Sequence, residues 1–389
     1  MFRHRLTGIA ATVTVVALAS SGAAAAETWT IPGNATITIK GHGYGHGHGL
    51  SQYGAEGAAR KGLGYRQIVN YYYPGTKWGR ATGNVKVLIS ADTTRDVMVG
   101  PRDGLTVRAT TSGKSWNLAK AKAAAKRWRI VPSTAGRSEI EFKTSAWHRW
   151  RVLVGGAEFS AGGQPIRLYT PSGSVQYRGI LRSTHSDTVN ILPLDAYLKG
   201  VVPSEVIASV WHQQALRAQA IAARTYAAYE RREPLASHYQ ICDTERCQVY
   251  GGYSAEYPTS TTAVDATAHQ ILTKSGKPVF AQFSASSGGY TSAGAFSYLP
   301  AKKDGYDGWS GNPYHSWSVT LADEDIESEW PEVGNLRSIR VSNRDGHGEW
   351  GGRVGTVTLT GSGGSVTVSG DDFRFLLDLY STWFTLRVS

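Results

Sequence analysis

The 389-residue chain lacks several of the patterns that would assign chemistry at once. It has two cysteines, Cys242 and Cys247, with four residues between them rather than two. That spacing excludes the usual C-x-x-C redox pair. No stretch after the N-terminus reaches ~20 apolar residues, so no ordinary membrane span is expected there. No Lys/Arg run accompanies a recognisable nucleic-acid fold, which places nucleic acid outside the expected partners. No Gly-Lys-Ser/Thr follows the glycine-rich run at 41–49, and His-Glu-x-x-His and Gly-x-Ser-x-Gly are absent. A phosphate-binding loop, a common zinc-protease helix and a serine-hydrolase elbow are therefore not supported. No low-complexity linker or clear internal repeat divides the chain, which predicts one α+β body with sublobes.

What is present starts with an export signal. Arg3 and Arg5 precede a short apolar run from Ile9 to Leu18, and Ala24-x-Ala26 fits a signal-peptidase site. The expectation is a secreted protein cut near Ala26, the alternative being an uncleaved anchor. The formal charge is +11, or +9 without residues 1–26. Such a cationic exterior suits polyanionic partners such as a bacterial wall, although many secreted proteins are basic for solubility alone. Twelve tryptophans and twenty tyrosines suit sugar rings as well as cores. The cysteine pair reads as a disulfide, or as a metal site completed by His238.

Four sections follow from the pattern: the signal (1–26), a Gly/His segment (27–82), a β-rich subdomain (83–192), and a helical and β part (193–389). Runs such as VKVLIS, IEFKT and WRVLV, separated by Asp-Gly, Ser-Gly and Gly-Gly turns, predict an antiparallel sheet or barrel-like unit in the third. AKAKAAAKRW (119–128) is locally helical by propensity within it. The strongest helix is 213–231, where Leu216, Ala220, Ala223 and Ala227 form a small-residue face that lets another backbone approach. The fold class is α+β, a β-rich body with a central Ala-rich helix.

Three stretches could carry chemistry. In GHGYGHGHGLSQYGA (41–55), an extended chain would put His42, Tyr44, His46 and His48 on one face and leave bare glycine backbone on the other. The readings are a ligand-lining strand, a tri-histidine metal site, or plain structure. In LPLDAYLKGVVPSEVIASVW (192–211), Pro203-Ser204-Glu205 reads as a turn entering a helix, with Ser204 as its cap and Glu205 in its first turn. An acid there is often structural, and the dipole would lower its pKa. Catalysis would require burial among Val201, Val202, Val206 and Ile207 to outweigh that effect. SASSGG (284–289) reads as a hydroxyl- and amide-lined turn, with a serine nucleophile as the sharper alternative.

Together with ALRAQAIAARTYA and CDTERCQVYGGY, these stretches resemble the stage II sporulation protein D / amidase-enhancer (LytB-type) family across roughly residues 41–320. The Gly/His stretch lies early here, whereas in the sporulation protein it lies late. Arg246 stands where some relatives carry a zinc-binding histidine, which favours the disulfide and no metal or other cofactor. The resemblance implies a lytic transglycosylase of peptidoglycan glycan strands, with the central helix lining a glycan cleft. It makes Glu205 the single acid/base. His46, Ser51, Gln52, Gln219, Arg224, Tyr226, Ser286 and Ser287 would bind substrate or brace Glu205. The rival from another class is a wall-binding activator of an amidase.

Overall fold

The computed structural model describes residues 26–133, 135–184 and 186–389. The expected export signal lies outside the described residues except for Ala26. The fold is mixed α+β and rich in strand. Among the described residues, no helix is long and apolar enough to cross a membrane.

The described α-helices up to residue 266 are α1 (Gln52–Arg60), α2 (Tyr65–Tyr72), α3 (Leu118–Ala121), α4 (Leu194–Glu205), α5 (Gln213–Glu230) and α6 (Pro258–Ala266), and all but α3 surround the site. The β-rich middle of the chain forms two sheets. One runs in the order Ile241–Cys242, Asn84–Leu88, Asp187–Pro193, Ile180–Thr184, Ala157–Ser160, Thr106–Ala109, Ser115–Asn117. The other runs Trp147–Val154, Arg137–Lys143, Arg127–Ser133, Val97–Val99, Ile166–Thr170, Gly173–Tyr177. Alternation sets their faces: Trp128 and Ile130 are buried, while Arg127 and Arg129 point the other way. The helical propensity of residues 119–128 is overridden. Only the Asn117-capped turn α3 forms, and the chain then enters strand Arg127–Ser133 because sheet pairing wins over alanine propensity.

Helix α5 packs against α1, α2, α4, α6 and strand Gln270–Lys274. Leu216, Ala220, Ala223 and Ala227 are fully buried, but so are Ala218, Ile221, Ala222 and Thr225. The helix is thus enclosed on nearly all sides, and one small-residue stripe describes it too narrowly. Glu56 of α1 anchors its start. This buried carboxylate accepts the His212 amide at 2.8 Å and pairs with Arg60 at 2.9 Å.

A second core joins the two ends of the described chain. Ile31, Ile37 and Ile39 pack with Trp317, Ile339, Phe373 and Phe384. Strand Thr36–Gly41 lies between Trp317–Ala322 and Phe384–Val388. The Gly/His stretch leaves this core at Gly41 and enters the main core at Leu50, so both of its ends are fixed.

Candidate functional site

The Gly/His stretch is not the flat strand its alternation suggested. Gly43, Gly45, Gly47 and Gly49 all take positive φ, between 69° and 94°. Only glycine adopts that region cheaply. The glycines are also needed for space: a Cβ on Gly49 would lie 2.0 Å from the Gln282 carbonyl oxygen. The side chains therefore diverge. His42 bonds Glu349 at 3.0 Å and stacks on Trp350. The His46 and His48 rings stack on each other at 4.8 Å, and His46 Nδ1 accepts the His48 amide. The His46 ring keeps solvent contact in a crowded concavity. Loss of surrounding water and the charges of His48 and Arg353 push its pKa down.

The stretch ends at Ser51, which caps α1 by accepting the Gly54 amide at 3.0 Å. Ser51 is buried and donates to Asp307 at 2.7 Å. Its cap fixes Gln52 as the first residue of α1, and Gln52 Nε2 donates to Glu205 Oε2 at 3.2 Å. The opening stretch thus reaches Glu205 through Gln52 rather than through His46.

Glu205 does not begin a helix. It is the last residue of α4, and Pro203 and Ser204 lie in that helix's final turn. Pro203 offers no amide to continue the ladder, and Val206 turns extended at φ −138°. Ser204 caps nothing; its hydroxyl bonds back to the Gly200 carbonyl at 2.8 Å. This reverses the expected dipole effect, because the negative end of a helix disfavours a carboxylate. Burial is the largest influence on Glu205 and raises its pKa, against the Val249 amide at 2.7 Å and the Gln52 amide, which lower it. The side chain is partly accessible. The result is a half-buried carboxyl with one oxygen pinned by backbone and the other by an amide, poised to hold a proton above the ordinary carboxylate range.

The Val249 amide is placed by the cysteine loop. Cys242 and Cys247 are joined by a disulfide. Gln248 accepts from Tyr197 Oη at 3.2 Å and donates to the Ala223 carbonyl at 3.0 Å, tying the loop to α4 and α5. His238 instead pairs with Asp187 at 2.6 Å. Replacing both cysteines with serine is expected to cost about 2 kcal/mol of stability, from the entropy of so short a loop. It should also loosen the Val249 amide; urea melts and hydrogen exchange at Val249 measure the two effects.

Five of the expected substrate contacts lie buried in this structure. Ser286 and Ser287 are buried; Ser286 Oγ donates to Asp307 at 2.9 Å and Ser287 Oγ to Asp304 at 2.9 Å. Ser51 joins the same network. Gln219 is buried within α5. Arg224 is fully buried and its guanidinium is taken up by Asp195 at 2.7 Å. Tyr226 is half-buried, stacks on Phe280 at 5.1 Å, and feels the charges of Glu230 and Glu205.

The residues missed at the sequence level are Val249, Asp304, Asp307 and His315. Burial pushes the Asp307 carboxyl up, but bonds from His315, Ser51 and Ser286 outweigh that and hold it below the usual value. It gathers the Gly/His stretch, the Ser/Gly turn and the 304–315 loop around one charge. Burial and the adjacent Asp307 push Asp304 up to about 6. The only local signal was two aspartates in a glycine-rich turn, KKDGYDGW, which reads as loop chemistry.

A cavity of about 490 Å³ opens beside this aspartate network, among His42, Tyr290, Asp304, His315, Glu349 and Trp383. None of the contacts to Glu205 comes from its walls. Its Glu349 carboxylate is exposed and paired with His42, so it lacks the desolvation a general acid needs. Glu205 is the better candidate for proton transfer.

Glu230, near the end of α5, gives a pH signature. Burial raises its pKa to about 7, against the bond from Tyr226. A raised folded-state pKa contributes stability that is present below the ordinary carboxylate pKa and lost as pH rises through about 7. Melting temperature should therefore fall as pH rises from about 4.5 to about 7, and Glu230→Gln should flatten that step. An unchanged step in the variant would assign it to another group.

Residues 182–273 match the family profile described as SpoIID: Stage II sporulation protein. The chain is 35% identical over 161 residues to the amidase enhancer of Bacillus subtilis (strain 168), a match covering 37% of this chain and 21% of that protein. It is 35% identical over 127 residues to an uncharacterized protein of Brachyspira hyodysenteriae, covering 32% and 34%. It is 28% identical over 249 residues to stage II sporulation protein D of Bacillus amyloliquefaciens, covering 57% and 67%. The match thus spans about a fifth of the first relative and a third of the second.

Proposed function

We propose, for a chain that carries a SpoIID domain over residues 182–273, an exported lytic transglycosylase of peptidoglycan glycan strands, with Glu205 as acid and base. The observation that carries this reading is the Glu205 carboxyl itself: half-buried, raised in pKa, and fixed through both oxygens by Val249 and Gln52.

The reaction needs one such group. Glu205 gives its proton to the glycosidic oxygen between MurNAc and GlcNAc as the C1–O bond breaks. The sugar's C6 hydroxyl then bonds to C1, and the Glu205 carboxylate takes the proton that hydroxyl loses. The product is a 1,6-anhydro-MurNAc end, and no water is consumed. A two-carboxylate hydrolase would instead need a second acid about 5–9.5 Å away to serve as nucleophile or water-activating base. Gln52 holds the carboxyl orientation between the two transfers, and the exposed His46 ring lines the approach from the Gly/His stretch.

The SpoIID profile lends support, since it spans Glu205, α5 and the cysteine loop. A non-catalytic reading, activation of a wall amidase, is favoured by one observation, the name of the amidase enhancer relative. Incubation of the purified protein with peptide-free glycan strands, read by mass spectrometry, separates them. Anhydro ends support catalysis; intact strands with stimulation of an added amidase support the activator.

A further inference from the structure

The net positive charge of residues 27–389 comes from one lobe. Residues 97–184 hold fifteen Lys and Arg against four Asp and Glu, a net +11. Residues 27–96 and 185–389 together sum to −2. The SpoIID match barely enters this lobe, and Glu205 lies outside it. A charge spread for solubility would not concentrate in this way.

The excess has a geometry. In the sheet that ends in Trp147–Val154, the register places Arg127 directly opposite Lys143, and Lys143 opposite Trp147. Arg129, Met98 and Tyr169 follow on the same face, and Arg167 lies two residues before Tyr169. Like charges directly opposed across strands destabilise a sheet. Arg129 is neutralised by Asp96 and Glu141. Among the described residues no carboxylate pairs with Arg127, Lys143 or Arg167. Lys122 and Lys126 are exposed at the same end of the sheet, where the Lys126 amide bonds the Lys143 carbonyl. An opposed, unneutralised cation pair on a half-exposed sheet is what an anionic ligand would relieve.

The rings on this face narrow the ligand. Arg127 lies over Tyr169 at 4.2 Å and Arg129 over Trp147 at 4.1 Å. Both aromatic surfaces carry guanidinium groups, so they are not free platforms for stacking bases. What is offered is a row of cations in which the Arg127 and Arg167 forks carry no carboxylate among the described residues and can take oxyanion oxygens in pairs, repeating phosphates included. We propose that this face of the 97–184 lobe docks a linear polyol-phosphate polymer, recognised through its repeating phosphodiester charge. On the proposed function, which this inference does not require, such docking would hold the enzyme at an anionic wall.

The test uses the full mature chain and synthetic poly(glycerol phosphate), with poly-glutamate and single-stranded DNA of matched charge as comparisons. Poly(glycerol phosphate) should bind most tightly of the three. Arg127→Gln/Lys143→Gln/Arg167→Gln should weaken it at least tenfold and reduce the slope of log affinity against log salt by roughly 2. A second variant, Lys122→Gln/Lys126→Gln, should weaken it less and guards against misfolding of the first. Both variants should cleave phosphate-free glycan strands as the wild type does, so failure of docking and failure of catalysis are read separately. Wild-type affinity in the triple variant, or equal or tighter binding of poly-glutamate or DNA, would overturn the proposal.

Discussion

Glu205→Gln should abolish formation of anhydro ends, lowering the rate by at least about 10³-fold, while melting temperature stays level or rises. One carboxyl serves as both acid and base in the proposed reaction, and general acid–base groups each contribute about 10²–10⁴-fold. Glutamine has nearly the same shape. Its carbonyl oxygen can still accept the Val249 amide that Glu205 now accepts at 2.7 Å. What is lost is the transferable proton. Stability should not suffer, because a partly buried charge that burial disfavours is replaced by a neutral group. The combination of unchanged folding with lost chemistry is diagnostic. A variant that lost both would mean that Glu205 holds the end of α4 rather than a substrate. The rate of the wild type should also fall as pH rises past the elevated Glu205 pKa, since the acid form starts the reaction.

Arg224→Met should have the largest effect on stability, about 3–5 kcal/mol, the usual consequence of breaking a buried ion pair. The Arg224 guanidinium is fully buried. It bonds Asp195 at 2.7 Å, the Val264 carbonyl at 3.1 Å and the Gln270 carbonyl at 3.3 Å, with further contacts to Thr267 and Ala220. One side chain thereby joins α5 to the start of α4, the end of α6 and the strand beyond it. Removal leaves the Asp195 charge without this partner and strands several carbonyls. Arg224→Lys should not rescue the loss, because a single ammonium cannot span that fork of acceptors. Denaturant melts would show a lower midpoint in both variants. If Arg224 touched glycan instead, melts would be unchanged and only substrate binding would weaken.

Much of the fold was legible because it rests on local pattern. Alternation marked the strands of residues 84–192, and the alanine run marked α5. The parts that were not legible depend on long-range pairing. Nothing in AKAKAAAKRW announces that Lys126 and Arg127 will face Lys143, yet that pairing limits the helix to Leu118–Ala121. Glu205 illustrates the same limit at the site. Pro203-Ser204 has the composition of a helix start, but α4 runs through it and ends at Glu205. The sign of the dipole effect on the carboxyl therefore reversed. Ser286 and Ser287 have the chemistry to bind sugar, but Asp304 and Asp307, some twenty residues on, take up their hydroxyls inside the molecule. Gln52 gained its place because its cap, Ser51, is anchored to Asp307, a link 256 residues apart in sequence.

Mass spectrometry of peptide-free glycan strands after incubation with the purified wild type is the most direct test of Glu205 chemistry. The account predicts fragments ending in 1,6-anhydro-MurNAc, each lighter by one water than a hydrolysed end, and none when Glu205→Gln replaces the wild type. Intact strands from the wild type, or fragments with ordinary reducing ends, would contradict it.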